Sequence, residues 1–197
     1  MQENYVYLAD IDNGANLLTV PFGHAIDGLC AIVGELKDIS AVLANLRPEF
    51  NLVDSDSKFV KTLPKTAHDY LSIQARLVEG NGVVTVVYAP ESSRTGSSFY
   101  CEITGTKGSL VLEGQSGHVQ MTGPTLKMAL DGQEKSQVEV NQSDGPGYNV
   151  GKAWDAWAGQ GLEDGHSVTT FEDALVRHQM IDAIYRAAES GTRENYL

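Results

Sequence analysis

The stretch YLSIQARLVEGNGVVTVVYA, residues 70–89, decides the fold class. Apolar and polar residues alternate in its first half, and a second run rich in valine follows the pair Gly80-Asn81. Alternation with a period of two predicts a β-strand, and the glycine–asparagine pair predicts the turn of a hairpin. Helices should therefore cover one face of this sheet and leave the other face open. The apolar face of the first strand consists of Leu71, Ile73, Ala75 and Leu77.

The opposite face of the predicted hairpin is mainly polar. If the turn has two residues, Arg76 lies opposite Thr85 and Gln74 lies opposite Val87. This face is either a binding surface for a small organic substrate or a sheet face that is solvated or buried by a second copy of the chain. We favour the latter, because an antiparallel sheet face of mixed polarity suits a homodimer interface. The candidate side chains of this face are Gln74, Arg76, Thr85, Tyr100 and Glu102.

The sequence on both sides of this hairpin predicts further strands and loops. SSFYCEITGTKGSLVLEG, residues 97–114, predicts a second hairpin that turns at GTKG. Polar composition predicts a long loop over about 47–66 and another loop over about 141–149. Additional strands are predicted at 38–46, 118–121, 125–130 and 137–140.

Three helices are predicted, at about 21–33, 151–158 and 171–190. The first begins near Pro21, because proline is tolerated in a first turn but not in the middle of a helix. The last has Thr169 or Thr170 as N-cap and Gly191 as C-cap. Its apolar stripe, in which the histidine is expected to be buried, consists of Phe171, Leu175, His178, Ile181 and Tyr185.

Length and composition limit the class of protein. The 197 residues are expected to form a single α+β domain, with one large, mainly antiparallel sheet, helices on one face, and the other face open or dimerising. A formal charge of -12 argues against nucleic-acid binding. The sequence shows neither a signal peptide nor a membrane-spanning run, which predicts a soluble cytoplasmic protein that does not contact membranes. Cys30 and Cys101 are expected to be reduced thiols, and the histidine spacing predicts that no metal is bound.

The sequence NGANLLTVPFGHAIDGL, residues 13–29, places one histidine and one aspartate on a predicted helix. Histidine is the side chain whose ordinary chemistry suits proton transfer near neutral pH, so His24 is a candidate general acid, general base or hydrogen-bond donor. The alternative is a hydrogen-bonded helix histidine without a catalytic role. Asp27 either orients His24 or bonds to a nearby backbone group. Neighbouring candidates for substrate contact are Thr19, Val20 and Phe22.

Trp154 and Trp157 lie three residues apart, on one side of a predicted helix. They are candidates for the apolar wall of a substrate pocket. A place in the core is the interpretation that we favour, because aromatic pairs at this spacing are usually buried.

Three segments, GANLLTVPFGHAID, ITGTKGSLVLEG and FEDALVRHQMIDAIYRAAESG, occur in this order along the chain. Together they resemble the C-terminal α/β domain of the Gfo/Idh/MocA oxidoreductases. YLADIDNGANLLTVPFGHAID and GTKGSLVLEGQSGHVQM are most similar to the branch that contains the fungal galactose-pathway transcriptional repressor. The resemblance extends from about Tyr5 to Arg193, so it covers nearly the whole chain and implies the same fold.

Full-length members of this family have an N-terminal Rossmann domain that binds NAD(P) and supplies a lysine from a Glu-Lys-Pro motif. This sequence has neither that motif nor a glycine-rich dinucleotide fingerprint. The family's C-terminal domain usually carries an aspartate four residues before a histidine, close to the reacting carbon. The resemblance places His24 at the histidine and Val20, which cannot transfer a proton, at the aspartate. It implies that the single chain binds no cofactor and is not a competent NAD(P) dehydrogenase.

Three functions fit these observations. The first, which we favour, is a cofactor-independent enzyme of small-molecule metabolism, such as a fungal secondary pathway. Its repurposed substrate pocket would catalyse an isomerisation, a dehydration or a cyclisation, including a pericyclic one. The second is the substrate-binding and dimerisation half of an NAD(P)-dependent sugar or polyol oxidoreductase. The third is a non-enzymatic regulator, related to the galactose-pathway repressor, that acts through protein contacts.

Overall fold

The computed structural model describes residues 1–89, 98–117, 123–140, 147–159 and 168–197. In chain order their strands are β1 (Leu36–Ala44), β2 (Glu49–Val53), β3 (Phe59–Pro64), β4 (Tyr70–Leu77), β5 (Val83–Tyr88), β6 (Phe99–Gly105), β7 (Gly108–Gly114), β8 (Thr125–Leu130) and β9 (Ser136–Val138). The α-helices are α1 (Gly23–Val33), α2 (Gly147–Trp157) and α3 (Phe171–Ser190), and 3-10 helices at Glu3–Ala9 and Ile11–Asn13 precede α1. The predicted α+β class is confirmed.

Contacts divide the chain into two compact units, Met1–Pro90 with Thr170–Leu197, and Glu91–Thr169. The predicted single large sheet is divided, in the described part of the chain, into three sheets: β1-β4-β5, β2-β3 and β6-β7-β8-β9. Every pairing between these strands is antiparallel, as predicted. The assignment of the whole chain to one domain stays a prediction.

The core of the first unit lies between α1, α3 and one face of the β1-β4-β5 sheet. Alternate residues of β4 point into this core, as the sequence pattern predicts, while Gln74 and Arg76 between them are exposed. One covered face and one open face follow from this alternation. The fully buried contributors from β4 and the helical segments include Leu71, Ile73, Leu18, Phe22, Ile26, Met180 and Ile184.

The β4–β5 hairpin is confirmed, but its register differs from the predicted one. Gln74 lies opposite Thr85, and Arg76 lies opposite Val83. The turn occupies residues 78–81 rather than two residues, so the pairing is offset by two positions. The glycine and the asparagine of this turn both have positive φ, at 71° and 56°. A glycine–asparagine pair therefore located the turn without fixing its length.

The predicted long loop over 47–66 is wrong, because β2 and β3 form an antiparallel hairpin there. Asp54 organises the turn, and its Oδ1 accepts hydrogen bonds from the backbone N–H groups of Asp56 and Lys58, each at 2.9 Å. The buried side chain of Leu52 anchors this hairpin. Charged residues and prolines obscured the alternation of apolar residues in this segment.

The helical backbone begins earlier than the predicted start near Pro21. A π-helical turn, Leu18–Phe22, leads directly into α1. Because Pro21 has no N–H, the carbonyl of Leu17 accepts a hydrogen bond from Phe22 instead, at 3.0 Å. Asn16 caps this start, since its Oδ1 accepts from two backbone N–H groups of the first turn at 2.9 and 3.3 Å.

α3 has the predicted bounds and caps, but not the predicted buried stripe. Thr170 and Asp173 form a capping box, and Gly191 ends the helix with a φ of 68°. Phe171 is 92% exposed, and His178 is exposed rather than part of the core. The pattern was misleading because an arginine, which is normally assigned to solvent, is buried on this helix. The buried residues are Arg177, Met180, Ile181, Ala183, Ile184 and Ala187.

The second unit contains the four-stranded sheet and α2. The predicted turn at GTKG is confirmed, with Gly105 paired to Gly108. Gly108 has a φ of 144°, and a Cβ there would lie 2.1 Å from the carbonyl oxygen of Ala129, so only glycine fits. The predicted strand at 118–121 and the first part of the predicted loop at 141–149 lie outside the described residues.

Candidate functional site

A surface on α1 carries the two candidate catalytic residues. His24 is exposed, and Val20, one helical turn before it, is 40% exposed. The side chain of Asp27, three residues after His24, is 48% exposed. The opposite side of the helical segment, which packs on the sheet, consists of Leu18, Phe22, Ile26 and Cys30. We call Val20, His24 and Asp27 the α1 surface.

Asp27 is held by an arginine from α3. The Nε of Arg177 donates a hydrogen bond to Oδ1 of Asp27 at 3.0 Å. In the described residues this arginine is the partner of Asp27, rather than His24 or a backbone group as the sequence suggested. Only 10% of the Arg177 side chain is exposed, so the pair extends from the protein interior to the α1 surface.

The rest of the Arg177 guanidinium is occupied by groups in the interior. Its Nη1 and Nη2 donate to the two carboxylate oxygens of Glu35, at 3.2 and 2.8 Å, and Nη1 also lies 3.2 Å from the sulfur of Met180. Tyr196, near the C-terminus, donates from Oη to Glu35 at 2.5 Å and accepts from the backbone N–H of Leu36 at 2.8 Å. The guanidinium therefore links α1 and α3 to Glu35 at the start of β1, and Glu35 in turn binds the C-terminal segment.

Burial sets the protonation states around this arginine. Burial alone would lower the pKa of Arg177, but its bonds to Glu35 and Asp27 raise that pKa above the usual range, so it stays charged. Burial raises the pKa of the Cys30 thiol to about 11. Burial, followed by the bond to Glu35, also raises the pKa of Tyr196. At neutral pH Cys30 is therefore a protonated thiol, not a nucleophile.

Two of the predicted substrate contacts near α1 have structural partners. Phe22 is 1% exposed and packs edge-on against Tyr88, with ring centroids 5.8 Å apart, so it lies in the core and not on the α1 surface. Thr19 is half-buried, and its Oγ1 accepts a hydrogen bond from the backbone N–H of Asn16 at 2.9 Å. Of the three candidates in this segment, Val20 is the one that lies beside His24 on the exposed side.

The sheet candidates lie on the opposite side of the first unit from α1. Gln74, Arg76 and Thr85 are exposed on the open face of β4 and β5, whereas α1 packs on the covered face. The structure therefore does not bring these side chains together with His24. A role for them in ligand binding stays a prediction that requires a separate site.

The remaining candidates belong to the second unit. Tyr100 is 60% exposed, and its Oη donates to Glu102 at 2.6 Å. Trp154 and Trp157 contact each other edge-on, with ring centroids 5.7 Å apart. The two tryptophans are 63% and 71% exposed, so the interpretation that they are core residues is wrong. A role of the two exposed tryptophans in substrate binding stays a prediction.

The described residues offer neither a metal site nor a membrane span. Within them, His, Cys, Asp and Glu side chains do not assemble into a group of three or more that could hold a metal ion. Among these same residues there is also no helix that is long and apolar enough to cross a membrane.

The family model for the C-terminal domain of Gal80p matches residues 1–114. The chain belongs to this family. The dehydrogenase aclE of Aspergillus oryzae is 30% identical to it over 190 residues, which are 95% of this chain and 50% of that protein. The galactose/lactose metabolism regulatory protein GAL80 of Saccharomyces cerevisiae is 26% identical, over 96% of this chain and 53% of that protein. The chain thus spans about half the length of the curated relatives it matches.

Solved structures share the fold of this Gal80p-type domain. A super-repressor mutant of Gal80p from Saccharomyces cerevisiae has a TM-score of 0.84 at 24% identity, covering 96% of this chain and 52% of that one. Levoglucosan dehydrogenase in complex with NADH and L-sorbose has a TM-score of 0.71 at 20% identity, covering 94% and 52%. The resemblance to the C-terminal domain of Gfo/Idh/MocA oxidoreductases, in the branch of the galactose-pathway repressor, is confirmed.

Sequence reasoning missed several residues that organise the site of this Gal80p-type domain. Arg177 and Glu35 lie 142 residues apart, and their pairing depends on the packing of α1 and α3. Asn16 was recognisable, because asparagine is among the residues preferred as N-cap at a helix start. The sequence gives one weak indication that this arginine is buried, because it lies between apolar positions of a long helix.

Proposed function

We propose that this chain is the substrate-side half of a small-molecule oxidoreductase-type site, in which His24 exchanges a proton with a hydroxyl or carbonyl group. The observation that carries the proposal is the exposure of His24 on a helix whose other side is fixed in the core. A histidine in this position can meet a ligand presented from outside the unit. Its relatives include proteins named as dehydrogenases, which supports this class of chemistry.

A nicotinamide cofactor does not fit the described residues. Dinucleotide sites place a pyrophosphate at a helix N-terminus that follows a glycine-rich turn after a parallel strand. The strands described here pair antiparallel, and α1 begins in a π-helical turn that contains a proline. We therefore assign to this chain only the substrate contacts and the proton transfer, and any hydride acceptor to another module.

The α1 surface suits a neutral substrate. His24 supplies an imidazole that can donate or accept a proton, and Val20 supplies apolar contact where the resemblance places an aspartate in the oxidoreductases. Arg177 cannot attract an anionic substrate, because its donors are taken by Asp27 and Glu35. With a formal charge of -12 for the chain, neutral hydroxyl compounds and ketones are the class we propose.

Binding of a neutral ketose tests this proposal. L-Sorbose, the sugar in the levoglucosan dehydrogenase complex, is titrated into the chain while the imidazole signals of His24 are followed by NMR. We expect saturable shifts of these signals, which persist in Gln74→Ala, an exposed control on the opposite sheet face, and of the neighbouring α1 amide signals, which should no longer shift in His24→Ala. NADH should give no saturable shifts. A panel of neutral ketoses that leaves His24 unperturbed would refute the proposal.

The hypothesis from the sequence, a cofactor-independent enzyme, differs from this proposal in the kind of substrate site that it requires. It requires a pocket that encloses the substrate within this chain, whereas the His24 side chain is exposed. Conversion of a bound ketone or alcohol without nucleotide would favour it and would overturn the two-module proposal. That the protein acts in a fungal secondary pathway, and that it is cytoplasmic, stay predictions.

We further propose that the open face of the β1-β4-β5 sheet forms a homodimer. Three valines on this face are strongly exposed: Val42 at 62%, Val83 at 80% and Val87 at 56%. An antiparallel face that mixes apolar and polar residues is suited to burial by a second copy. Sedimentation should show a dimer that is lost in Val83→Lys and retained in Ile32→Lys, which changes an exposed residue of α1. A monomer at high concentration would contradict this interface.

A further inference from the structure

We propose that Asp27 is a specificity-determining residue of the α1 surface, which accepts a hydrogen bond from a substrate hydroxyl on a carbon next to the reacting one. The inference rests on the proposed function, because it needs His24 to act at the reacting carbon. It goes further by assigning the chemical feature that the site selects, a hydroxyl adjacent to a carbonyl or alcohol carbon.

The first support is the fixed orientation of the Asp27 carboxylate. Oδ1 is bound to Nε of Arg177 at 3.0 Å, and that arginine is anchored by two further bonds to Glu35. About half of the Asp27 side chain is exposed while its partner is buried, so the carboxylate presents its outer side to solvent. A carboxylate held in this way is a preorganised acceptor for a ligand O–H group.

The second support is the balance of charge. One guanidinium faces two carboxylates, Asp27 and Glu35, so these three groups carry a formal charge of -1. Glu35 also accepts a hydrogen bond from Tyr196, which leaves Asp27 as the more exposed of the two carboxylates. This arrangement attracts hydroxyl donors and disfavours carboxylate or phosphate groups at the same point.

The third support is the spacing along α1. Residues three or four apart on a helix are neighbours, with Cβ atoms about 5–6 Å apart. Asp27 is three residues after His24, and Val20 is four residues before it. The α1 surface therefore presents the exposed Val20 of the π-helical turn, followed on α1 by the imidazole of His24 and a fixed acceptor beside it. Hydroxyl groups on adjacent carbons of one small molecule can reach the last two together.

The test compares L-sorbose with its 1-deoxy and 3-deoxy analogues, which each lack one hydroxyl beside the carbonyl carbon. Dissociation constants are measured by NMR titration for the wild-type chain, Asp27→Ala, Asp27→Asn and His24→Ala. We expect the wild type to bind L-sorbose roughly tenfold more tightly than one of the analogues, a ratio typical of a charge-assisted hydrogen bond at a half-exposed site. Asp27→Ala should reduce this ratio to about one.

Two controls separate selection from stability. Asp182→Asn changes another exposed helix aspartate that pairs with an arginine, Arg186, and it should keep the wild-type ratio. Asp27→Asn keeps the side-chain shape and guards against loss of folding in the alanine variant, and it should lower the ratio. A purely structural role for Asp27 would shift all dissociation constants together and leave the ratio unchanged.

The outcomes distinguish this inference from the proposed function. Binding that depends on His24 but shows equal affinity for all three sugars in the wild type overturns the role of Asp27 and leaves the function standing. A ratio that survives in Asp27→Ala does the same. Failure of the wild type to bind any of the three sugars refutes both proposals.

Discussion

The carboxylate of Asp27 and the guanidinium of Arg177, 150 residues apart in the chain, meet at 3.0 Å where α1 packs against α3. The two partners differ in environment, with 48% of the Asp27 side chain exposed against 10% for Arg177. Because Arg177 also binds Glu35, the helix that carries His24 is tied to the start of β1. The same contact thus contributes to stability and fixes one residue of the α1 surface.

Replacement of Arg177 should lower the free energy of unfolding far more than replacement of Asp27. In Arg177→Met, Glu35 and Asp27 lose their cationic partner, and breaking a buried ion pair from one side typically costs about 3–5 kcal/mol. We expect the free energy of unfolding to fall by about 3 kcal/mol in this variant. Asp27→Asn should cost less than about 1 kcal/mol, because its side chain is half in solvent.

Urea unfolding of both variants measures this difference. Asp182→Asn, at the exposed pair with Arg186, serves as a control and should lie close to the wild type. Equal losses in Arg177→Met and Asp27→Asn would show that Glu35 does not depend on the arginine.

Local patterns were sufficient for much of the fold. The bounds of α3, its Gly191 end and an N-cap at Thr169 or Thr170 followed from nearest neighbours in the sequence, as did the β4–β5 and β6–β7 hairpins. Each of these features depends on backbone conformation within a few residues. The α+β class then followed from the alternation in β4.

Features that depend on distant contacts could not be predicted in the same way. Arg177 was not identified as a buried residue, because its partners come from α1 and the start of β1, which no local pattern connects to α3. His24 was identified, but the partner of Asp27 was not. The β2–β3 hairpin was missed because turn-forming and charged residues outnumber apolar ones in that segment.

Asn16 should contribute strongly to the start of α1. Its side chain is 2% exposed, accepts from two backbone N–H groups, and donates from Nδ2 to Oη of Tyr185 at 3.1 Å. We expect Asn16→Ala to lower the free energy of unfolding by about 2 kcal/mol, since a helix cap and a buried hydrogen bond are lost together. Asn13→Ala, at an exposed position nearby, should cost much less. Chemical denaturation of the two variants would contradict this if their midpoints coincide.

We expect that Gly108 cannot be replaced by a residue with a side chain without loss of stability. A Cβ at this position would lie 2.1 Å from the carbonyl oxygen of Ala129, so β7 and β8 would have to separate. We expect Gly108→Ala to destabilise the second unit by roughly 2 kcal/mol or more. In Gly105→Ala the nearest atom is 3.8 Å away, and the hairpin should tolerate the change. Hydrogen exchange of the β7 and β8 amides reports the effect, and equal protection in both variants would count against it.

Asp69 should make the first unit sensitive to acid. Burial by itself raises the pKa of this carboxyl. Hydrogen bonds from Lys65 and from the backbone N–H groups of Leu46 and Arg47 lower it by more than burial raises it, so the net pKa is below the usual value. The unfolded chain has an Asp pKa of about 3.9 and therefore binds the proton more tightly than the folded chain does. The stabilisation from Asp69 is complete well above pH 4 and is lost as the pH falls through the lower, folded-state pKa.

Unfolding free energies between about pH 6 and pH 3 test this sign for the wild type and two variants. Asp69→Asn should be less stable than the wild type at pH 6, because Lys65 then lacks the carboxylate that it binds at 2.8 Å. The difference should shrink as the pH falls, since protonation removes the same charge from the wild type. Lys65→Met deletes the other partner and should likewise weaken the dependence on pH. Curves for wild type and Asp69→Asn that run parallel down to pH 3 would show that the Asp69 carboxyl has a similar pKa in the folded and unfolded chains.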